Sequence, residues 1–303
     1  MAKNNKNIAA SVHRRLLDKA KESSRPFNEI LQQFAVERFI YRLAKSPLAD
    51  RFILKGALMF SVWSGSRARS TLDIDLLGRM DNSPEGIVAA MKDACGMDVE
   101  ADGLSFNPET VAAVRITEDA EYEGVRVRVR GGLGNARVSL QIDIGFGDVV
   151  VPGPMKIVYP ALLDFPAPEL NGYTKESTIA EKYQTMVRLG VLNSRMKDYY
   201  DIWMLSRTFD FRGKSLAEAV EKTFANRKTP ITNAPAVFDS SFAAEGDKKV
   251  QWQGFIRKAK LSDAPVAFED IIAAVNKFLQ PLVATLVERR PFRRIWNAPG
   301  PWR

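Results

Sequence analysis

The feature that most constrains this chain is a change of period. Up to about residue 146 several runs alternate apolar and polar side chains, the two-residue repeat of a half-buried strand, whereas beyond residue 172 apolar residues recur at three and four. Between them lies a stretch with little periodicity, 151–172, crowded by Pro152, Pro154, Pro160, Pro166 and Pro168. Proline lacks an N–H and fixes its own φ, so such a stretch reads as a linker. The expectation is an α+β chain: a mixed β-sheet domain with flanking helices over residues 1–165, then a helical domain with a basic tail over 166–303.

Within the first part, the apolar stripe Ile30, Leu31, Phe34, Ala35, Phe39, Ile40 and Leu43 predicts an amphipathic helix over 27–44. A short strand over 51–54 runs into Lys55, Gly56 and Ala57, and a helix over 58–63 follows, which puts the glycine at a strand-to-helix turn of the kind where phosphates dock. Residues 71–77 alternate as a strand, 84–95 read as a helix, and strands are expected over 112–118, 124–130 and 136–146, the last two joined by a hairpin turn at 131–135. The second part predicts helices over 174–192, 195–208, 216–226 and 268–289, while residues 227–265 carry no assignment.

Composition removes several chemistries. With 303 residues the chain is long enough for two cores. Its single cysteine, Cys95, forms no internal disulfide, and with His13 as the lone histidine it builds neither a Cys/His zinc site nor a Ser/His/Asp triad. No apolar run is expected to reach a bilayer span, and residues 1–21 are polar and basic without the apolar stretch of a secretory signal, so the expected location is the cytoplasm, with no membrane partner. The formal net charge of +8 favours anionic partners. Its excess sits at Lys3, Lys6, Arg14, Arg15, Lys19 and Lys21, and at Arg289, Arg290, Arg293, Arg294 and Arg303. Phe292, Trp296 and Trp302 are interleaved with the latter group, which suits either phosphate contact with base stacking or a tail whose aromatics pack on the body.

Asp73 and Asp75 stand at i and i+2 on one predicted strand and so face one side. Asp143, in the alternating run 140–144, is placed to reach the same face from a neighbouring strand. Clustered carboxylates repel unless a cation neutralises them, and oxygen-only ligands suit Mg²⁺ shared with substrate phosphates. An Asp-x-Asp pair alone would be no more than the wet face of an edge strand; the second strand and the upstream glycine turn shift it toward a site. In the helical part Glu181, Lys182 and Arg188 share one helix, and Lys197, Asp198 and Asp201 the next. Lys182 adjoins the apolar Ala180, Tyr183, Met186 and Val187, where a lysine can reach inward. Lys197 and Asp201, at i and i+4, could be only a surface ion pair.

Taken in order, Arg51-Phe-Ile-Leu-Lys-Gly-Ala-Leu-Met, Arg69-Ser-Thr-Leu-Asp-Ile-Asp-Leu-Leu, Thr178-Ile-Ala-Glu-Lys-Tyr-Gln and Lys197-Asp-Tyr-Tyr-Asp-Ile resemble the nucleotidyl transferase AbiEii/AbiGii toxin family, within the DNA polymerase β-like nucleotidyltransferases. The resemblance spans about 27–205. It implies metal ligation by Asp73 and Asp75 with Asp143 or the nearby Asp148 as third carboxylate, a phosphate-side turn at Lys55, Gly56 and Ala57, a nucleotide-contacting Lys182 and a late catalytic Asp201. Arg188 and Lys197 are further candidates for nucleotide contact, and Thr71 matches a hydroxyl open to regulatory phosphorylation in some relatives. Where the superfamily usually shows Gly-Ser or Gly-Gly, this chain has Gly56-Ala57, which removes a hydroxyl and keeps the backbone N–H. The resemblance further implies a Mg²⁺-dependent enzyme that transfers nucleotides from NTP to an RNA acceptor, best matched by a tRNA 3′ end, and is neutralised by a cognate antitoxin. Nucleotidylation of a small molecule or protein, and a non-catalytic binding module, are the alternatives.

Overall fold

The computed structural model describes residues 2–64, 71–118 and 122–303. Arg69 and Ser70, singled out above, lie outside the described residues, as do the side chains of Lys3 and Lys6. The chain divides into two compact units rather than at a single break after residue 165: one takes residues 1–147 and 155–172, the other residues 148–154 and 173–303.

The first unit is built on a mixed sheet of β1 (Phe52–Lys55), β2 (Ile74–Gly78), β3 (Leu104–Glu118), β4 (Tyr122–Leu133), β5 (Ala136–Phe146), β6 (Met155–Val158) and β7 (Glu169–Gly172), in the order β3-β4-β5-β2-β1-β7-β6. β2 runs antiparallel to β1 and parallel to β5, so it sits in the middle of the sheet and is not the edge strand that a bland reading of the Asp-x-Asp run would make it. The proline-crowded stretch is not a linker. Its two ends pair as β6 and β7, and β7 lies parallel beside β1. The prolines flank the strands instead of lying in them: Pro154 and Pro160 stand either side of β6 and Pro168 directly precedes β7, so they shorten each strand's signal without removing a donor from the ladder.

β3 begins eight residues before its predicted start, with its register shift between Asn107 and Ala112, around Pro108. The β4–β5 connection is tighter than the predicted turn. Gly131 and Gly132 pair with Val138 and Arg137, which leaves Gly134-Asn135 as the loop, with Gly134 at φ +58.

Around this sheet lie α1 (Ala2–Glu22), α2 (Phe27–Lys45), α3 (Leu58–Ser64) and α4 (Pro84–Gly96). α1 replaces the expected basic leader, because Ala9, Val12, Leu16 and Ala20 form a buried stripe with the basic residues on the other faces. α2 is buried on more than the predicted stripe, including Glu37, Arg38 and Arg42. Two of these pair with Asp102: Arg38 Nε donates to Oδ2 at 2.9 Å and Arg42 donates to both oxygens at 2.7 and 3.0 Å.

The second unit is helical: α5 (Lys175–Leu189), α6 (Met196–Thr208), α7 (Gly213–Asn226), α8 (Ser240–Ala244), α9 (Gly246–Ala259) and α10 (Phe268–Val287), with the small hairpin β8 (Phe211–Arg212) and β9 (Ile295–Trp296). Thr174 caps α5, its hydroxyl accepting from Ser177 N–H at 3.1 Å. The unassigned residues 227–265 fold as short elements that bury Val237, Phe242 and Trp252. α10 overturns the expectation that no run reaches bilayer length: its 20 residues are long and apolar enough by length and composition. Phe268, Ile271, Ile272, Val275, Phe278, Leu279, Leu282 and Val283 form one buried stripe, the pattern of a helix packed by one face.

Candidate active site

Register assembles the first group of residues. Lys55 on β1 is the partner of Asp75 on β2, Asp75 of Asp143 on β5, and Asp143 of Arg126 on β4. Paired residues in adjacent strands share a face, so the four form one row, Lys55, Asp75, Asp143 and Arg126, alternating as plus, minus, minus, plus. All four are half-buried. One residue along, the row Leu54, Leu76, Ile144 and Val125 is wholly buried on the opposite face. The sheet therefore turns its apolar side to the core and a charged strip outward.

Gly56 follows Lys55 at φ +68, a left-handed conformation that disfavours a side chain. A Cβ built there would stand 2.0 Å from Asp75 Oδ2, so the Asp75 carboxylate lies directly against the glycine backbone. This close approach explains the glycine more fully than the turn alone. Buried Ala57 begins the passage into α3. Asp73 is exposed immediately before β2, and Thr71 is half-exposed two residues earlier.

Asp143 reaches the expected strand position, but its carboxylate is taken by Arg126: Nε donates to Oδ1 and the terminal nitrogen to Oδ2, both at 2.8 Å. Such a fork is among the stronger charge-assisted pairs. The expected cage of three carboxylates is not assembled, and among the described residues no group of three acidic, histidine or cysteine side chains is placed to hold a metal ion. Asp73, exposed just before β2, and Asp75, half-buried on it, are hard-oxygen carboxylates two residues apart. That donor set fits a divalent cation of the Mg²⁺ type that completes its shell with water and phosphate. Asp148, the alternative third carboxylate, belongs to the second unit and accepts from Arg227 at 2.8 and 3.0 Å.

The second group forms between α5 and α6. Lys182 Nζ lies 2.8 Å from Asp198 Oδ1 and 2.8 Å from Asp201 Oδ2, and Arg195 Nε donates to the other Asp198 oxygen at 2.8 Å. Both carboxylates are only 1% exposed and the lysine 14%. Burial by itself would push the Asp198 carboxyl up, but the Lys182 and Arg195 cations outweigh it and hold it at about 2. Lys182 is thus an inward-reaching lysine, as its apolar neighbours suggested. Asp201 faces it, whereas Lys197 is exposed. Asp198 carries as much of this arrangement as Asp201; the signal for it was its i, i+3 spacing, which puts both aspartates on one helix face. Arg188 is half-exposed near the end of α5.

Asp73, Asp75, Asp143, Lys55, Gly56, Ala57 and Thr71 thus belong to the first unit, and Lys182, Arg188, Lys197 and Asp201 to the second. The first group pairs acid and base in a half-buried row beside a glycine turn; the second fixes a cation with two buried carboxylates.

Residues 38–274 match the family model of the nucleotidyl transferase AbiEii toxin of type IV toxin–antitoxin systems. No match is found among the curated proteins. Among solved structures, the chain is similar to JHP933 from Helicobacter pylori at 13% identity and a TM-score of 0.42, over 83% of this chain and 90% of that one. It is also similar, at 13% identity and 0.41, to an H. pylori protein described as a candidate nucleotidyltransferase, over 84% of this chain and 94% of that one. These distant likenesses bear no weight on activity.

Proposed function

Because the chain belongs to the nucleotidyl transferase AbiEii toxin family of type IV toxin–antitoxin systems, we propose that it is a Mg²⁺-dependent enzyme that transfers a nucleotide from NTP to an RNA acceptor, a tRNA 3′ end being the best candidate. The observation that carries this is the half-buried charged row across the sheet, with Asp75 pressed against Gly56. In the reaction the acceptor hydroxyl attacks the α-phosphorus, a P–O bond forms, the bond to the bridging oxygen breaks and pyrophosphate leaves. Asp73 and Asp75 would hold Mg²⁺, which when bound supplies Lewis-acid activation and neutralises phosphate charge. Lys55 and the backbone N–H groups after Gly56 contact phosphate oxygens. Lys182 supplies a further cation to the nucleotide, and Asp198 and Asp201 position it. Arg188 and Lys197 supply outer contacts, and phosphate on Thr71 would place negative charge two residues from Asp73, against the nucleotide. A cognate antitoxin and a cytoplasmic location complete the reading.

The test incubates the protein with each labelled NTP, Mg²⁺ and total cellular RNA and follows covalent label. Label on RNA that is lost in Asp73→Asn and Asp75→Asn, with unchanged circular dichroism, is expected. Transfer at the parent rate by Asp73→Asn would overturn the metal assignment, and label on protein or a small molecule alone would replace the acceptor.

A further inference from the structure

The segment 288–303 lies outside the family match, which ends at residue 274. It contains Arg289, Arg290, Arg293, Arg294 and Arg303 against the single acid Glu288. The segment is firmly docked on the second unit. β9 pairs with β8, Gly213 N–H donates to Arg294 O at 2.8 Å, and the indoles of Trp296 and Trp302 donate to Ser206 O and Phe278 O at 2.6 and 2.7 Å. Gly213 makes the approach possible, since a Cβ there would stand 2.5 Å from the Phe292 ring and 2.6 Å from Arg294 O. Phe292, Trp296 and Trp302 are buried, which removes them as base-stacking surfaces. All five arginines are exposed. Arg290 pairs with Glu288, while among the described residues neither Arg293 nor Arg294 has an ion-pair partner, and these three line one surface cleft with Thr285. Exposed Arg212 extends the patch, its register partner being Ile295.

We propose that this docked arginine platform binds the phosphate backbone of single-stranded RNA. It rests on the reading of the chain as an RNA-modifying enzyme and names where the acceptor strand is gripped. Five outward guanidinia on a rigid support suit phosphates, each a planar fork that meets two oxygens. A protein partner would want an aromatic anchor at the centre of its interface, and this surface keeps its aromatics inside; Ile295, 50% exposed, is its main open apolar side chain. With the aromatics internal, binding is expected to follow charge and to be indifferent to base.

The experiment is fluorescence anisotropy of the full chain with a labelled single-stranded oligoribonucleotide, without NTP or Mg²⁺, across a salt series. Joint replacement of Arg289, Arg293, Arg294 and Arg303 by glutamine should weaken binding about tenfold and flatten the log–log salt slope by about 0.7 for each phosphate no longer neutralised. Replacing Arg257, Lys258 and Lys260 by glutamine lowers charge in the same unit and should leave both nearly unchanged. Unaltered affinity and slope in the arginine variant, or an equal loss in the control, would overturn the platform. So would binding of a polyglutamate peptide as tight as RNA with the same loss, which would point to an acidic protein instead. RNA binding that depends on these arginines in a protein that transfers no label would sink the enzymatic reading and leave the platform standing.

Discussion

Replacing Lys182 with methionine tests the two-carboxylate clamp directly. The parent holds Lys182 against Asp198 and Asp201, with Arg195 on the other Asp198 oxygen; methionine keeps the stem's bulk and removes the charge. Asp198 and Asp201, each 1% exposed, would then both lose a cation that stands 2.8 Å away in the parent. Breaking a buried pair from one side costs about 3–5 kcal/mol. The acid side gives an independent scale. Asp198 is held at about 2 against an ordinary 3.8, and forfeiting that depression alone is worth about 2 kcal/mol. The sign follows: a depressed carboxyl stabilises the parent above pH 3.8 and that contribution is lost as pH falls toward 2. In Lys182→Met burial is no longer outweighed, the carboxyl is driven upward, and acidification from neutral toward pH 4 should stabilise the variant. Four of the five tryptophans, Trp203, Trp252, Trp296 and Trp302, lie in the second unit, so urea unfolding followed by their fluorescence at pH 4 and 7 reads the effect. Equal midpoints for parent and variant at both values would refute the clamp and leave Lys182 with a role in nucleotide contact alone.

Gly56→Ala should destabilise the first unit by about 1–3 kcal/mol through its left-handed φ and crowding, and abolish nucleotide transfer because the Cβ displaces the Asp75 carboxylate; an active, equally stable variant would remove that contact from the site. Arg126→Met frees both Asp143 oxygens beside Asp75, so Mn²⁺ affinity measured by paramagnetic resonance should rise several-fold; unchanged affinity would exclude Asp143 from the ion's shell. Glu37 is buried, with Oε2 accepting from Leu162 N–H at 2.7 Å and Oε1 without a hydrogen-bond partner, and burial pushes its carboxyl up to about 7 from 4.5. A raised carboxyl gives stability that is present below pH 4.5 and lost as pH climbs through 7, so Glu37→Gln should flatten the pH dependence of unfolding across that window and stabilise the protein at pH 8 by about 3 kcal/mol. A variant as pH-dependent as the parent would show that Glu37 ionises without cost.

What the sequence determined by itself was whatever depends on neighbours along the chain. Alternation predicted the strand that carries Asp75, though it begins only after Asp73, and the helix period placed Lys182 beside an apolar stripe and Asp198 with Asp201 on one face. Glycine's conformational freedom marked the turn at Gly56. Signals that proline or alanine dilutes were weaker: β6 and β7 hide among prolines, the first half of β3 behind Pro108, and the buried stripe of α1 is half alanine. Only the tertiary structure decided which charge meets which. That β5 lies beside β2, and β4 beside β5, brings Arg126 onto Asp143, 17 residues apart, and gives the expected metal ligand a cationic partner that the sequence did not announce. The packing of α6 against α5 selects Lys182 over the local Lys197 as the partner of Asp201, and docking on the second unit buries the aromatics of the basic tail while its arginines stay in water. Periodicity is a local property and is written residue by residue; strand neighbours and ion-pair partners are chosen by burial and Coulomb attraction between segments that meet only once the chain has folded.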